Sequence, residues 1–151
     1  VEDLRTVEGI LDFAIRGEEE SVEFYTDLAK KSARPGMERI FLEFADEERK
    51  HKAKLLAVKA GKQLQPAAAK IADLRITGFL VDVEPTPDLD YQGALIVAMK
   101  KEKAAFALYN QLAELAPEAS LRDLLLALAQ EEAKHKLRFE LEYDQVVLKD
   151  N

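Results

Sequence analysis

Hydrophobic positions along this chain fall into four stretches with the three- and four-residue spacing of an α-helix. In the first, Leu4, Val7, Leu11, Ile15, Val22, Tyr25 and Ala29 share one stripe, which ends before the turn signal Arg34-Pro35-Gly36. The second runs from Met37 through Ile40, Phe41, Phe44 and Leu55 to Gly61, a residue suited to a left-handed helix stop. Leu95, Met99, Phe106, Tyr109 and Leu112 mark the third stripe, and Leu121, Leu125, Leu128 and Phe139 the fourth. This periodicity predicts helices over about 4–33, 36–60, 91–116 and 119–147.

Joins of about three residues within each pair make antiparallel neighbours. Residues 62–90 contain Pro66, Pro85, Pro87 and the strand-like ITGFLVDV; too long and too broken for a tight turn, they are expected to cross over along the bundle. A shift of 84 residues lays 13–55 on 97–139 without a gap, with twelve identities in 43. The matching residues are Ala14, Glu18, Tyr25, Leu28, Ala29, Leu42, Ala45, Glu47, Glu48, Lys50, His51 and Lys52. A duplicated helix–turn–helix predicts an all-α, single-domain four-helix bundle over residues 1–151, with pseudo-twofold symmetry.

Six polar residues occupy positions where the stripes ask for hydrophobes. Glu18 lies between Ile15 and Val22, and its repeat mate Glu102 between Met99 and Phe106. Glu48 follows Phe44 by four and His51 precedes Leu55 by four; Glu132 and His135 stand in the same relation to Leu128 and Phe139. Four inward carboxylates would cost several kcal/mol each if left uncompensated. Lys50, Lys52, Lys134 and Lys136 fall off the inward positions and are expected at the surface, whereas two divalent ions would supply the missing charge. Residues three apart are neighbours on a helix face, so Glu48 with His51 can close on one ion and Glu132 with His135 on another, while Glu18 and Glu102 cap or bridge. Oxygen and imidazole ligands without sulfur suit iron or manganese, with zinc chemically acceptable.

A lone Glu-x-x-His is weak, because glutamate fills 18 of 151 positions. Its recurrence at both histidines, with inward glutamates at the same offset, separates it from coincidence. Tyr25 and Tyr109 follow Glu18 and Glu102 by seven residues on the same stripes. Their hydroxyls either hold the ligand carboxylates or are bonded elsewhere in the core. Glu47 and Glu131 point about 100° away and are expected on a solvated face, and Met37 and Met99 are expected to fill the core.

Composition narrows the function further. A net charge of -7 without a basic cluster speaks against nucleic acid. The absence of cysteine removes disulfides, thiolate catalysis and iron–sulfur clusters, and is compatible with a cytoplasmic address. No apolar run approaches the ~18 residues needed to span a bilayer, so a soluble protein is expected. Residues 1–30 are charged throughout, and no secretory signal is expected there.

The segments GEEESVEFY (17–25) with EERKH and KEKAAFALY (101–109) with EEAKH resemble the ferritin-like superfamily, and within it the rubrerythrin-type proteins. The resemblance implies a carboxylate-bridged pair of irons that reacts with hydrogen peroxide or dioxygen, hence an oxidoreductase. It implies Glu18, Glu48, Glu102 and Glu132 as carboxylate ligands, two of them bridging, and His51 and His135 as one ligand for each iron. Two departures stand out. The four-cysteine rubredoxin segment of rubrerythrins proper is missing, which implies a separate electron donor such as a rubredoxin-like protein. The extra carboxylate three residues after the third-helix glutamate is replaced by Ala105. The remaining symmetric set looks more like the ferroxidase centre of bacterioferritin or a manganese catalase. Iron oxidation for sequestration and a metal-stabilised structural bundle therefore stay open as alternatives. No fifth helix to build a closed shell is visible after Tyr143, and a homodimer is expected.

Overall fold

A computed structural model describes residues 3–31, 35–61 and 90–150, with side chains at all of these except Pro35 and 146–150. The segment expected to cross over lies outside the described residues, apart from Asp90. Among the described residues four helices appear, α1 (Val7–Lys30), α2 (Pro35–Lys59), α3 (Tyr91–Leu115) and α4 (Ala119–Asp150).

Local chemistry sets the helix ends. α1 starts three residues later than its apolar pattern suggests, because the Thr6 hydroxyl accepts the Gly9 N–H at 3.0 Å and caps the first turn. The preceding chain folds tightly over this cap, so that a Cβ added at Gly9 would collide with the Asp3 carbonyl oxygen. Asp90 caps α3 in the same way, accepting from Gly93 N at 2.7 Å. At the far end of α3, Ala116 is forced extended (φ -63°, ψ 124°) by the following Pro117. Gly61 takes φ +90° just beyond α2, the left-handed stop expected of it.

Cross-helix pairs define the layout. Lys52 meets Glu19 and Lys59 meets Asp12, which runs α1 antiparallel to α2. The Tyr91 hydroxyl donates to Glu142 between α3 and α4, and Arg138 meets Glu43 between α4 and α2. Neighbouring helices are thus antiparallel around the bundle, and α2 ends at the opposite end from where α3 begins.

The apolar core is split in two. One cluster gathers Ile10, Leu11, Ala14, Leu55, Leu112, Leu125 and Leu128; the other gathers Leu28, Phe41, Phe44, Ala94, Leu95, Ala98 and Phe139. The 84-residue shift exchanges them member for member: Ile10 with Ala94, Leu55 with Phe139, Leu125 with Phe41, Leu128 with Phe44. The pseudo-twofold therefore swaps the two ends of the bundle, one lined by leucines and the other by phenylalanines. Met37 and Met99 fill the aromatic end, as expected of them. Between the two clusters lies the polar layer.

Candidate metal centre

All six inward polar residues are buried, at 8% exposure or less. Glu18 and Glu102 stand near the middle of α1 and α3, and the two Glu-x-x-His turns bring Glu48, His51, Glu132 and His135 to the same level from α2 and α4. His51 Nδ1 lies 2.9 Å from Glu18 Oε2, 2.9 Å from Glu132 Oε1 and 3.3 Å from Glu48 Oε1. His135 Nδ1 lies 3.4 Å from Glu48 Oε1 and 3.6 Å from oxygens of Glu102 and Glu132. The two imidazoles lie parallel, with centroids 5.4 Å apart.

Close approach here is not hydrogen bonding. Seven buried atoms of the cluster (Glu18 Oε2, Glu48 Oε1, His51 Nδ1, Glu102 Oε2, both Glu132 oxygens and His135 Nδ1) carry no hydrogen bond of acceptable geometry. Buried polar atoms are normally satisfied. Lone-pair donors converging on common points are what a cation requires. Among the described residues, a three-residue group, Glu48–His51–His135, and two four-residue groups, Glu18–Glu48–His51–Glu132 and Glu48–Glu102–Glu132–His135, each have ligand atoms within 4.8 Å of one another. Glu48 and Glu132 belong to both four-residue groups. The cluster can therefore hold metal, and its oxygen and imidazole donors fit first-row divalent ions.

Electrostatics without a cation are strained accordingly. Burial, with the neighbouring Glu48 and Glu102 charges, outweighs the contact with His51 and raises Glu18 to about 7. Burial and the surrounding carboxylates push Glu132 well up. Burial alone would also raise Glu48, but its contacts with His135 and His51 hold it below the usual carboxylate range. Burial alone would lower both histidines; the carboxylates around them reverse the sign, raising His51 and taking His135 to about 10.

The tyrosines connect the halves in a way the stripe pattern did not reveal. Each lies on the stripe of its own helix's glutamate, yet Tyr25 donates to Glu102 Oε1 at 2.5 Å, across from α1 to α3. Tyr109 of α3 correspondingly interacts with Glu18 of α1. Burial and these carboxylates raise both phenols well above their usual range. The antiparallel α1–α3 pair brings residue 25 level with 102 and residue 109 level with 18.

Glu47 and Glu131 face outward as expected, each beside a lysine three residues on. Lys50 and Lys134 are exposed and Lys52 is half-buried, but Lys136 is not at the surface: it is only 3% exposed, one turn from the equally buried Glu140. Ala129, Ala133, Lys136 and Glu140 form a second buried ridge on α4. The equivalent ridge of α2, Ala45, Arg49, Lys52 and Leu56, opens to solvent after Ala45. Extrapolation from the repeat therefore misplaced Lys136; the 4-3-4 spacing of the ridge was the available signal.

The two halves also differ around their histidines. Phe44 and His135 meet edge to face at 5.0 Å, and the Arg138 guanidinium lies 5.0 Å over the Phe44 ring. The repeat mate of Phe44 is Leu128.

Among curated proteins, none matches this chain. A solved structure titled as a hypothetical protein from Pyrococcus furiosus is similar, with 27% identity and a TM-score of 0.64 over 96% of this chain and 90% of that one. The family model described as Rubrerythrin matches residues 9–143 and takes in all six buried metal-capable residues and both tyrosines, so the chain belongs to the rubrerythrin family.

Proposed function

We propose that the cluster holds two iron ions and that the protein reduces hydrogen peroxide with electrons from an external donor. Glu18 and His51 would hold one ion and Glu102 and His135 the other, with Glu48 and Glu132 shared between them, as the two overlapping four-residue groups suggest. The observation that carries this reading is the set of seven buried donor atoms without hydrogen bonds, drawn from four carboxylates and two imidazoles brought to one level of the bundle.

A pair of ferrous ions held there would supply the two electrons that, with two protons, take one peroxide to two waters. The chain's own residues supply the geometry. Tyr25 and Tyr109 keep their protons and donate them toward Glu102 and Glu18, fixing the orientation of those carboxylates. The leucine end and the phenylalanine end shield the layer from water on both sides. These 151 residues contain no cysteine, so the electrons come from outside them, from a donor such as a rubredoxin-like protein.

Anaerobic Fe(II) titration tests the reading. Two ions should bind per chain, and peroxide should oxidise them faster than it oxidises free Fe(II). Two bound irons that stay ferrous under peroxide would reduce the centre to a structural role. Elemental analysis of protein from its own host decides between iron, manganese and zinc.

A further inference from the structure

A cleft of about 100 Å³ enters the bundle between α1 and α3. Its volume has room for several water-sized molecules. Three pairs of its lining residues are repeat mates: Gly17 with Lys101, Glu20 with Ala104, and Ser21 with Ala105. The cleft therefore straddles the pseudo-twofold axis. A symmetric protein would open it equally toward Glu18 and toward Glu102.

It opens toward one of them. Ala14, Leu108, Tyr109 and Glu18 line it; their mates Ala98, Phe24, Tyr25 and Glu102 do not. The difference lies in two substitutions between the halves. Where α1 has Gly17, α3 has Lys101, whose ammonium lies 5.6 Å over the Phe24 ring. Where α3 has Leu108, α1 has Phe24, standing edge-on to Tyr25 at 5.1 Å. Tyr25 is in turn bonded to Glu102. At the floor of the open side, Glu18 is 2% exposed and its Oε2 carries no hydrogen bond.

We propose that this cleft is a one-sided port. A small uncharged hydroxylic oxidant, hydrogen peroxide or a short alkyl hydroperoxide, passes Gly17 and Leu108 to the Glu18 side of the centre, while Lys101 on Phe24 closes the equivalent approach to Glu102. Alanine and leucine walls offer nothing to a charged group. The rim carries one acid and one base, Glu20 and Lys101. A carboxylate floor repels an anion but accepts a hydrogen bond from a hydroxyl. The absence of a side chain at Gly17 and the short ones at Ser21, Ala104 and Ala105 leave the space that a longer carboxylate at position 105 would fill.

The choice of oxidant rests on the peroxide-reducing reading, but the port can be tested without it. Nitric oxide binding to the anaerobic Fe(II)-loaded protein, followed by its visible absorption in stopped flow, measures access alone. Transplanting the closed side, Gly17→Lys with Leu108→Phe, should slow nitric oxide binding and peroxide oxidation together by about tenfold or more, with two irons still bound. Adding Lys101→Gly and Phe24→Leu should open the other side and restore most of the rate. Gly17→Val is a milder narrowing should the double variant not fold. An alanine Cβ at position 17 would meet only Leu108 Cδ2, at 3.9 Å, so the backbone there tolerates a side chain. Unchanged nitric oxide rates in a fully loaded closed variant would overturn the port, as would failure of the reopened variant to recover. Wild-type iron that binds nitric oxide but ignores peroxide would refute the peroxidase reading and leave the port standing.

Discussion

Removing metal from this centre should destabilise the protein more at alkaline pH than at acid pH. Glu18 and Glu132 have folded pKa values raised above the unfolded 4.5, Glu18 to about 7. A carboxylate so raised binds more protons folded than unfolded, so stability falls as pH climbs from 4.5 through its folded pKa. His135 is raised from 6.5 to about 10. Its stabilising contribution is complete below 6.5 and is lost as pH rises through 10. Glu48 is lowered, but it acts only below 4.5 and does not oppose this trend. Both effects thus point downward between pH 5.5 and 9. A tenfold change in proton affinity on folding is worth about 1.4 kcal/mol. Because these groups share the same contacts, their contributions do not add, and a total of about 2–5 kcal/mol is the appropriate scale. At about 2–4 °C per kcal/mol for a chain of this size, the metal-free Tm should fall by roughly 4–20 °C across that range. Bound metal replaces the protons and flattens the profile. Calorimetry of loaded and chelated protein at pH 5.5, 7 and 9 measures both curves. A metal-free Tm that holds level or rises toward pH 9 would refute the reasoning.

Further substitutions probe other parts of the molecule. Glu18→Leu should leave one metal per chain, held by the Glu102–His135 group, whereas Glu48→Leu should disturb both, because Glu48 belongs to both groups; elemental analysis distinguishes them. Tyr25→Phe strips Glu102 of its hydrogen bond and should cost about 1–3 kcal/mol in denaturant unfolding of the metal-free protein. Phe44→Ala removes the ring that touches both His135 and Arg138 from a fully packed end of the core, with an expected loss of about 3–5 kcal/mol. Gly9→Ala drives a Cβ into the Asp3 carbonyl and should cost about 1 kcal/mol or more by undoing the Thr6 cap, visible as faster amide exchange over residues 6–10.

Much of the centre was legible in the chain because two independent regularities met at the same residues. Helical period placed Glu18, Glu48, His51 and their mates inward, and the 84-residue repeat showed that the irregularity occurred twice. Period alone names the face of a helix, not its neighbour, and for that reason the exchange of partners between Tyr25 and Tyr109 could not be read. Repeat logic also failed where the halves diverge: Lys52 is half-buried and Lys136 fully so, since α4 buries a second ridge that α2 exposes. The late start of α1 reflects a hydroxyl cap, whose local hydrogen bond outweighs the weak apolar pull of Leu4.

Placing charge at mid-height gives the bundle two separate grips. Each apolar end contains a piece of all four helices, so either can hold the fold together while the other loosens. The layer between them would then act as a hinge line. In the metal-free state, opening at one end would tilt the helices about that line and expose the donor atoms to solvent without global unfolding. A bound ion pair, with ligands from every helix, would lock the hinge. Amide exchange should consequently be protected by metal most strongly at the residues flanking the centre and least at the helix tips.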